Sequence, residues 1–377
     1  MLQVNIGNYI QRCGMWDLTI LNGGILFMTS SLETKRFDYL RLKKFCVEII
    51  EKVGVSKEGA EIVGSSLVRA NLRGVDSHGI QRLPIYTQRV KEGLINSRAE
   101  IRLLRDNYAS VLIDGGNGFG QIVAHKAMQE CVNRALKYGV GVAGVANSHN
   151  FGAGALVAME ALKYDMIGVV VSNAAPTLPP WGGTSLTLGT NPLAVAIPTK
   201  MEFPIVLDMA TSVVARDKIT LYKKMGKKIP LGWALTKDGR PTEDPQEALE
   251  GILLSIGGPK GYGLALVIDI LAGVMTGAAF GKDVGMLYDM SRPSAVGNFM
   301  MAINISSFME VDVFKERLER LCAQIKASEL LPGVNEVFLP GEIEYREEQD
   351  RMKNGIPIGG DVLKDLEKLS SEYHVSL

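Results

Sequence analysis

Between Ser110 and Leu207 short apolar runs alternate with segments of helical spacing, and that alternation narrows the fold more than any other feature of the sequence. Ser110–Asp114, Val140–Ala146, Ile167–Ser172, Leu193–Ile197 and Ile205–Leu207 read as strands. A segment ending near Tyr138 and another over Ala153–Lys163 read as helices. Strands interleaved with helices predict an α/β domain. The turn after the first strand, Gly115-Gly116-Asn117-Gly118-Phe119-Gly120, is rich in glycine but does not spell G-x-G-x-x-G. It is therefore not a Rossmann fingerprint.

The flanks read differently. Leu42, Phe45, Cys46, Ile49, Ile50 and Val53 follow helical spacing and Gly54 is a fitting stop. Ser56 opens a second helix that runs through Val63, Leu67 and Ala70 to Gly74. Leu264–Phe280 is the longest apolar run, but Asp269 interrupts it, so a buried helix is expected and not a membrane span. Val311–Lys326 and the tail from Gly360 read as helices. The expected division is a helical domain with a catalytic loop over 28–105, an α/β domain over 106–300, and a C-terminal helical segment over 301–377 packing on the first domain. Residues 1–27 carry neither a targeting nor an amphipathic pattern. Gly23-Gly24 stands where the coding bases would resemble a ribosome-binding site, so translation is expected to begin at Met28 and the extension to be dispensable.

Lys+Arg and Asp+Glu number 41 each, which argues against nucleic acid or an anionic membrane as the main partner. The four cysteines are widely spaced, which suits a reducing cytoplasm better than a disulfide framework. The four histidines form no ligand cluster, so no bound metal is expected.

The chemistry gathers in Gly74–Tyr86. Gly74 and Gly79 bracket His78, which places it on a turn. If the chain after Gly79 is helical, His78, Arg82 and Tyr86 share a face. An imidazole can move a proton and a guanidinium can hold a carboxylate with two parallel bonds, a pairing that suits a small carboxylic acid with a reactive hydroxyl or carbonyl. Read alone, the stretch is as readily a capped helix start with a loop histidine. Asp208–Ser212 ends a strand and opens a helix, a natural anion site and equally an ordinary cap. Lys260, at the mouth of the long apolar run, is either a phosphate partner or a solvated loop lysine.

Six stretches together resemble the malate/L-lactate dehydrogenase family that includes ureidoglycolate, sulfolactate and diketogulonate oxidoreductases and is distinct from the Rossmann-type enzymes. They are Asp76-Ser77-His78-Gly79, the Asn147–Gly152 loop, Pro180-Trp181-Gly182-Gly183, Gly189-Thr190-Asn191-Pro192-Leu193-Ala194, Asp208-Met209-Ala210 and Gly258-Pro259-Lys260-Gly261-Tyr262-Gly263. The resemblance runs from about Thr34 to Arg346. It implies an NAD- or NADP-dependent oxidoreductase acting on a small 2-hydroxy or 2-oxo acid. It also implies a non-Rossmann cofactor domain with a mixed sheet, packed against a mainly helical domain, in a homodimer. His78 matches the family's acid/base histidine, with Ser77 beside it. Arg82, Tyr86, Thr190 and Asn191 match substrate-side positions. Asp208, Met209, Ala210, Lys260, Gly341, Glu342 and Ile343 match cofactor-side positions, and Ala174 falls where some members place a cofactor-binding serine.

One departure bears on the mechanism. The family commonly shows N-S-x-H-F-G, with that histidine assigned as proton acceptor in some members. Here the run is Asn147-Ser148-His149-Asn150-Phe151-Gly152, so the imidazole comes one place early. His78 is therefore placed ahead of His149 as the proton carrier, and Asn150 is expected to donate a hydrogen bond to the reacting oxygen. Three other readings stand beside this one: a hydrolase using Asp76, Ser77 and His78, a cofactor-binding protein that has lost turnover, and a dehydrogenase for a ureidoglycolate- or imino-acid-type substrate.

Overall fold

The computed structural model describes residues Thr34–Leu377; the expectations for residues 1–27 and for a start at Met28 lie outside them. The strands in chain order are β1 (Thr34–Phe37), β2 (Arg102–Asn107), β3 (Ser110–Asp114), β4 (Val140–Ser148), β5 (Met166–Ser172), β6 (Leu193–Ile197), β7 (Ile205–Met209), β8 (Val296–Asn304) and β9 (Ile356–Gly359). A two-residue hairpin, Ala234–Leu235 with Ile252–Leu253, lies apart from them. The main helices are α1 (Tyr39–Lys52), α2 (Lys57–Leu72), α3 (Leu83–Lys91), α4 (Gly120–Tyr138), α5 (Gly154–Ala158), α6 (Arg216–Lys224), α7 (Pro259–Asp269), α8 (Val311–Lys326), α9 (Glu342–Asn354) and α10 (Gly360–Tyr373).

Seven strands form one mixed sheet in the order β2-β3-β4-β8-β5-β6-β7. Only β3 and β4 run parallel, joined through α4; every other pair is antiparallel. The fold is thus α/β with a mixed sheet, unlike the parallel sheet of a Rossmann domain. The side chains alternate across the sheet as the pleat requires. Val111, Ile113, Val145, Val170 and Met300 point to the face covered by α4 and α5 and form the largest core with Val123 and Met128. On the other face Val142, Met301, Val169, Val195 and Leu207 are register partners in a row across five strands, and each stays partly open.

A second core joins both ends of the chain. Asp38 and Ser56 cap α1 and α2 by accepting from Arg41 and Gly59 backbone N–H groups. The buried faces of those helices (Leu42, Phe45, Ile49, Val63, Leu67) pack with Ile356, Ile358, Leu366 and Leu369, while β1 pairs with β9. A third, smaller core surrounds Trp233 with Leu178, Ile219 and Ala265.

Two expectations change. No expected strand falls at β2 or β8, yet β8 is central to the sheet. The Leu264–Phe280 run is not one buried helix. α7 ends at Asp269 and a π-turn follows at Ile270–Val274. Its narrow glycine/alanine side lies against β8, while Val267, Ile270, Val274 and Met275 are about half exposed. The close approach fixes the reason: a Cβ on Gly297 of β8 would lie 1.8 Å from the Ala272 carbonyl oxygen. Buried Asp269 anchors the turn by accepting from Asn173 Nδ2 at 3.1 Å and Gly281 N at 2.9 Å. No helix among the described residues is long and apolar enough to cross a membrane.

Because the neighbour of Gly297 is backbone and cannot swing aside, Gly297→Ala should cost about 1–3 kcal/mol or more. A urea-unfolding midpoint equal to that of the parent chain would contradict this packing.

Candidate active site

A cleft of about 1020 Å³ opens between the helical core and the ends of the sheet strands. Its size is at the upper end of ligand clefts. One wall is the Asp76–Arg82 turn. It is held from behind by Arg351, which donates to Asp76 at 2.6 and 3.1 Å and to the Asn71 carbonyl at 2.7 Å. Asn71 in turn donates to Asp76 at 2.5 Å and accepts from Ile80 N at 2.7 Å. Gly79 permits this contact, since a Cβ there would lie 2.1 Å from Asn71 Oδ1. Asp76 is therefore spent on Arg351 and Asn71, and the arrangement is not a hydrolase triad.

His78 lines the cleft, with Nδ1 2.9 Å from Ser77 Oγ. Its Nε2 has no bonded protein partner among the described residues. Burial in the cleft wall, and then the charge of Arg82, push its pKa down to about 4, against a smaller upward pull from Asp217. Arg82 donates Nε to the Ser77 carbonyl at 2.7 Å and Nη1 to Tyr288 Oη at 2.8 Å, and its Nη2 lies 3.8 Å from Asp217 of α6.

Tyr86 is buried beneath the turn and donates Oη–H to Asn150 Oδ1 at 3.2 Å. Gly152 N donates to the same oxygen at 3.0 Å. With that oxygen tied down, the amide nitrogen of Asn150 is the end left for the cleft, which Asn150 lines. His149 is 1 % exposed and does not border the cleft. Neither of its ring nitrogens has a partner of hydrogen-bond geometry, although the Leu94 backbone is near enough to affect its titration. Burial, and then Arg89, push its pKa down to about 4.

The opposite wall is built from strand ends. Ala174 follows β5, Thr190 precedes β6, and Asp208, Met209 and Ala210 close β7; all five line the cleft. Asp208 Oδ2 accepts from Ala155 N, at the start of α5, at 2.8 Å. The crowding walls, with Glu344 adding repulsion, raise the Asp208 pKa to about 6 even though the residue is open to cleft solvent. Asn191 is fully buried and serves as a staple, accepting from Ala174 N at 2.9 Å and donating to the Ala265 carbonyl at 2.8 Å.

Four of the expected cofactor-side residues do not border the cleft of the single chain. Lys260 is exposed in the first turn of α7. Gly341, at φ 87°, packs on Val206 of β7. Glu342 is buried and bonded to Leu339 N, Lys326 and Arg346, so its carboxylate serves the structure at the start of α9. Ile343 is half-buried beside it. Their neighbour Glu344 does reach the cleft, with one buried carboxylate oxygen unpaired. Sequence reasoning missed Glu344, Tyr288 and Asp217. A glutamate one step past a matched turn and an acidic first-turn residue on α6 were weak signals for two of them; Tyr288 offered none.

The low pKa of both histidines sets a stability window. In the unfolded chain they regain the ordinary value of 6.5, so between pH 6.5 and about 4 that state binds more of their protons. Their contribution is complete above pH 6.5 and is lost as pH falls toward 4. His125, bonded to Glu160 and raised above 6.5, has its full effect below that pH, whereas raised Asp208 works in the opposite sense inside the window. The test is thus a comparison: His149→Leu should lose less stability than the parent chain between pH 6.5 and 4. Parallel urea-midpoint curves for the two would contradict the assignment.

Comparison with known proteins gives the cleft its context. The family model for malate/L-lactate dehydrogenase matches residues 37–367. A malate dehydrogenase of Pyrococcus abyssi is 38% identical over 351 residues, covering 90% of this chain and 96% of the relative. An NAD(+)-dependent ureidoglycolate dehydrogenase of Escherichia coli K12 is 33% identical over 316 residues, covering 84% and 90%. The solved sulfolactate dehydrogenase of Methanocaldococcus jannaschii superposes with a TM-score of 0.86 at 37% identity, covering 91% of this chain and 98% of that one. With the mixed sheet, the helical wall and the cleft between them in place, these matches establish that the chain belongs to the malate/L-lactate dehydrogenase family.

Proposed function

We propose that the protein is an NAD(P)-dependent dehydrogenase that interconverts a small 2-hydroxy acid and its 2-oxo acid in this cleft. The observation that carries the reading is the pairing of His78 and Arg82 on one wall, across from the strand ends at Asp208–Ala210. The helical core with its C-terminal partner forms the substrate wall, and the sheet forms the cofactor wall. Arg82 holds the substrate carboxylate and so orients C2. His78 is neutral at neutral pH and takes the hydroxyl proton on oxidation through Nε2, returning it on reduction. Its Nδ1 is oriented by Ser77 Oγ. Asn150, braced by Tyr86, donates to the reacting oxygen. Thr190 lines the same cleft from the opposite wall.

The cleft fits a nicotinamide dinucleotide. The Asp208 carboxylate and the unpaired Glu344 oxygen suit ribose hydroxyls, and Arg216 and Lys224 on α6 suit phosphates. When bound, the nicotinamide supplies or accepts the hydride. Met209, Ala210 and Ala174 shape the wall against it.

The protein acts as a homodimer in the cytoplasm. The partly open row Val142–Met301–Val169–Val195–Leu207 and the exposed Val267, Ile270, Val274 and Met275 are apolar surface of the kind that partners cover. Lys260 sits on the same helix, α7, at the edge of that surface. Buried free Cys46, Cys131 and Cys322 suit a reducing compartment.

Following reduced-nicotinamide absorbance with a panel of 2-oxo acids and both cofactors should reveal turnover and its preferred partner. His78→Ala should lower kcat about 10²–10⁴-fold with cofactor affinity retained, and His149→Ala should lower it far less. The reverse ranking would transfer the proton to His149. Ile270→Glu should yield a monomer in sedimentation velocity; an unchanged particle mass would move the interface elsewhere.

A further inference from the structure

The loop that precedes β8 belongs to none of the recognised motifs, yet it delivers a side chain to the substrate wall. Tyr288 Oη accepts from Arg82 Nη1 at 2.8 Å, and the guanidinium carbon lies 5.8 Å from the ring centroid. The ring is 68 % exposed and borders the cleft. A tyrosine so open on a loop would ordinarily swing freely. This one is fixed at its backbone, because fully buried Arg89 grips both of its neighbours. Arg89 Nη1 donates to the Leu287 carbonyl at 2.9 Å and the Asp289 carbonyl at 2.7 Å. Its Nη2 donates to the Arg292 carbonyl at 3.1 Å and to Ser294 Oγ at 3.4 Å. Burying a guanidinium is costly unless its donors are used. Here both Nη nitrogens are used to set the path of one loop, while Nε is buried without a partner.

The hydrogen bonds of Arg82 decide what that loop is for. Its Nε–H is committed to the Ser77 carbonyl, so the Nε/Nη2 fork is closed to substrate. Asp217 stands 3.8 Å from Nη2, beyond hydrogen-bond distance, so Nη2 is the nitrogen left open. A phenol that accepts from Nη1 still has its own proton to give. That proton is directed away from Nη1 and is available to an anion that also reaches Nη2.

We propose that Tyr288 is a substrate-binding residue that donates its Oη–H to the substrate carboxylate beside Arg82 Nη2, and that Arg89 is a positioning residue acting through Tyr288. This rests on the reading of Arg82 as the carboxylate site. It implies selection for acids whose carboxylate sits at the end of the guanidinium and not along its side.

The test is steady-state kinetics on the full chain with Tyr288→Phe, Arg82→Lys, the double variant, Arg89→Lys, and Arg89→Lys combined with Tyr288→Phe. The 2-oxo acid is varied at saturating reduced nicotinamide, and cofactor Kd is read from fluorescence. Tyr288→Phe should raise KM for the acid about tenfold, the worth of one hydrogen bond to a charged group, with kcat and cofactor Kd little changed. Added to Arg82→Lys, it should raise KM by less than that, since the two share one carboxylate. Arg89→Lys should raise KM in the parent but not in the Tyr288→Phe background, whereas a merely structural role would show in both. If Arg82→Lys raises KM and Tyr288→Phe does not, the inference falls and the Arg82 reading stands. If Arg82→Lys changes cofactor Kd and leaves KM alone, the Arg82 reading falls and this inference with it.

Discussion

The geometry of the cleft depends on one buried guanidinium that joins the two ends of the chain. Arg351 of α9 grips Asp76, 275 positions earlier, with two hydrogen bonds. It also donates to the Asn71 carbonyl at the end of α2 and to Glu347 on its own helix. Through Asn71 the same network reaches Ile80 N, on the far side of His78. The turn with His78 and Arg82 is therefore clamped before and after the imidazole, by groups that do not touch the cleft side of either residue. Charge-assisted bonds of this kind are strong and directional. They fix a short stretch of 3-10 turns that carries the His78 and Arg82 side chains. The pairing of β1 with β9 and the shared core of α1, α2 and α10 bring Arg351 to this position.

A second clamp repeats the device on the other flank. Arg89 fixes the Tyr288 loop through backbone carbonyls, and Tyr288 meets Arg82. Arg82 thus has contacts on three sides: the turn, the loop and Asp217 of α6. Two buried arginines hold one arginine that lines the cleft. The sheet side is arranged differently. Its cleft residues come from the ends of β5, β6 and β7, so their positions follow from strand register.

Much of this was legible in the sequence where local pattern and tertiary role agree. The five expected strands are apolar runs whose inward residues are buried on a sheet, and each is present. The α1–α2 hairpin carries its caps and stripe in plain view. β8 was not legible, because Val-Gly-Asn-Phe-Met-Met-Ala-Ile-Asn has glycine and asparagine at its start, which local propensity assigns to a turn. Gly297 is required there by the Ala272 backbone, a contact that local pattern cannot reveal. The long apolar run misled for a related reason: apart from Ile268 its buried apolar side is made of Ala and Gly, and most of its large residues face outward. In the cleft, Asp76, Ser77 and His78 of the Asp76–Gly79 motif line one wall. Tyr288 and Glu344 reach the cleft only through long-range packing, and Lys260 and Gly341–Ile343, matched by motif, lie off it in the single chain.

We propose that His78 and Arg82 act as one electrostatic unit. Burial and the adjacent guanidinium hold the imidazole pKa down to about 4 in the free protein, so a substrate would meet a neutral base. A carboxylate bound at Arg82 would cancel part of that positive field and raise the basicity of His78 when the hydroxyl proton must move. Substrate binding would then tune the base. With only four histidines in the chain, the most direct measurement is the titration of the His78 ring proton by NMR, assigned with His78→Gln, in the free protein and in its complex with oxidised or reduced nicotinamide cofactor plus oxamate, an inert isostere of a 2-oxo acid. A pKa well below 6.5 in the free protein and an upward shift in the complex are expected. A His78 that titrates at or above 6.5 when free, or that does not respond to oxamate, would contradict it.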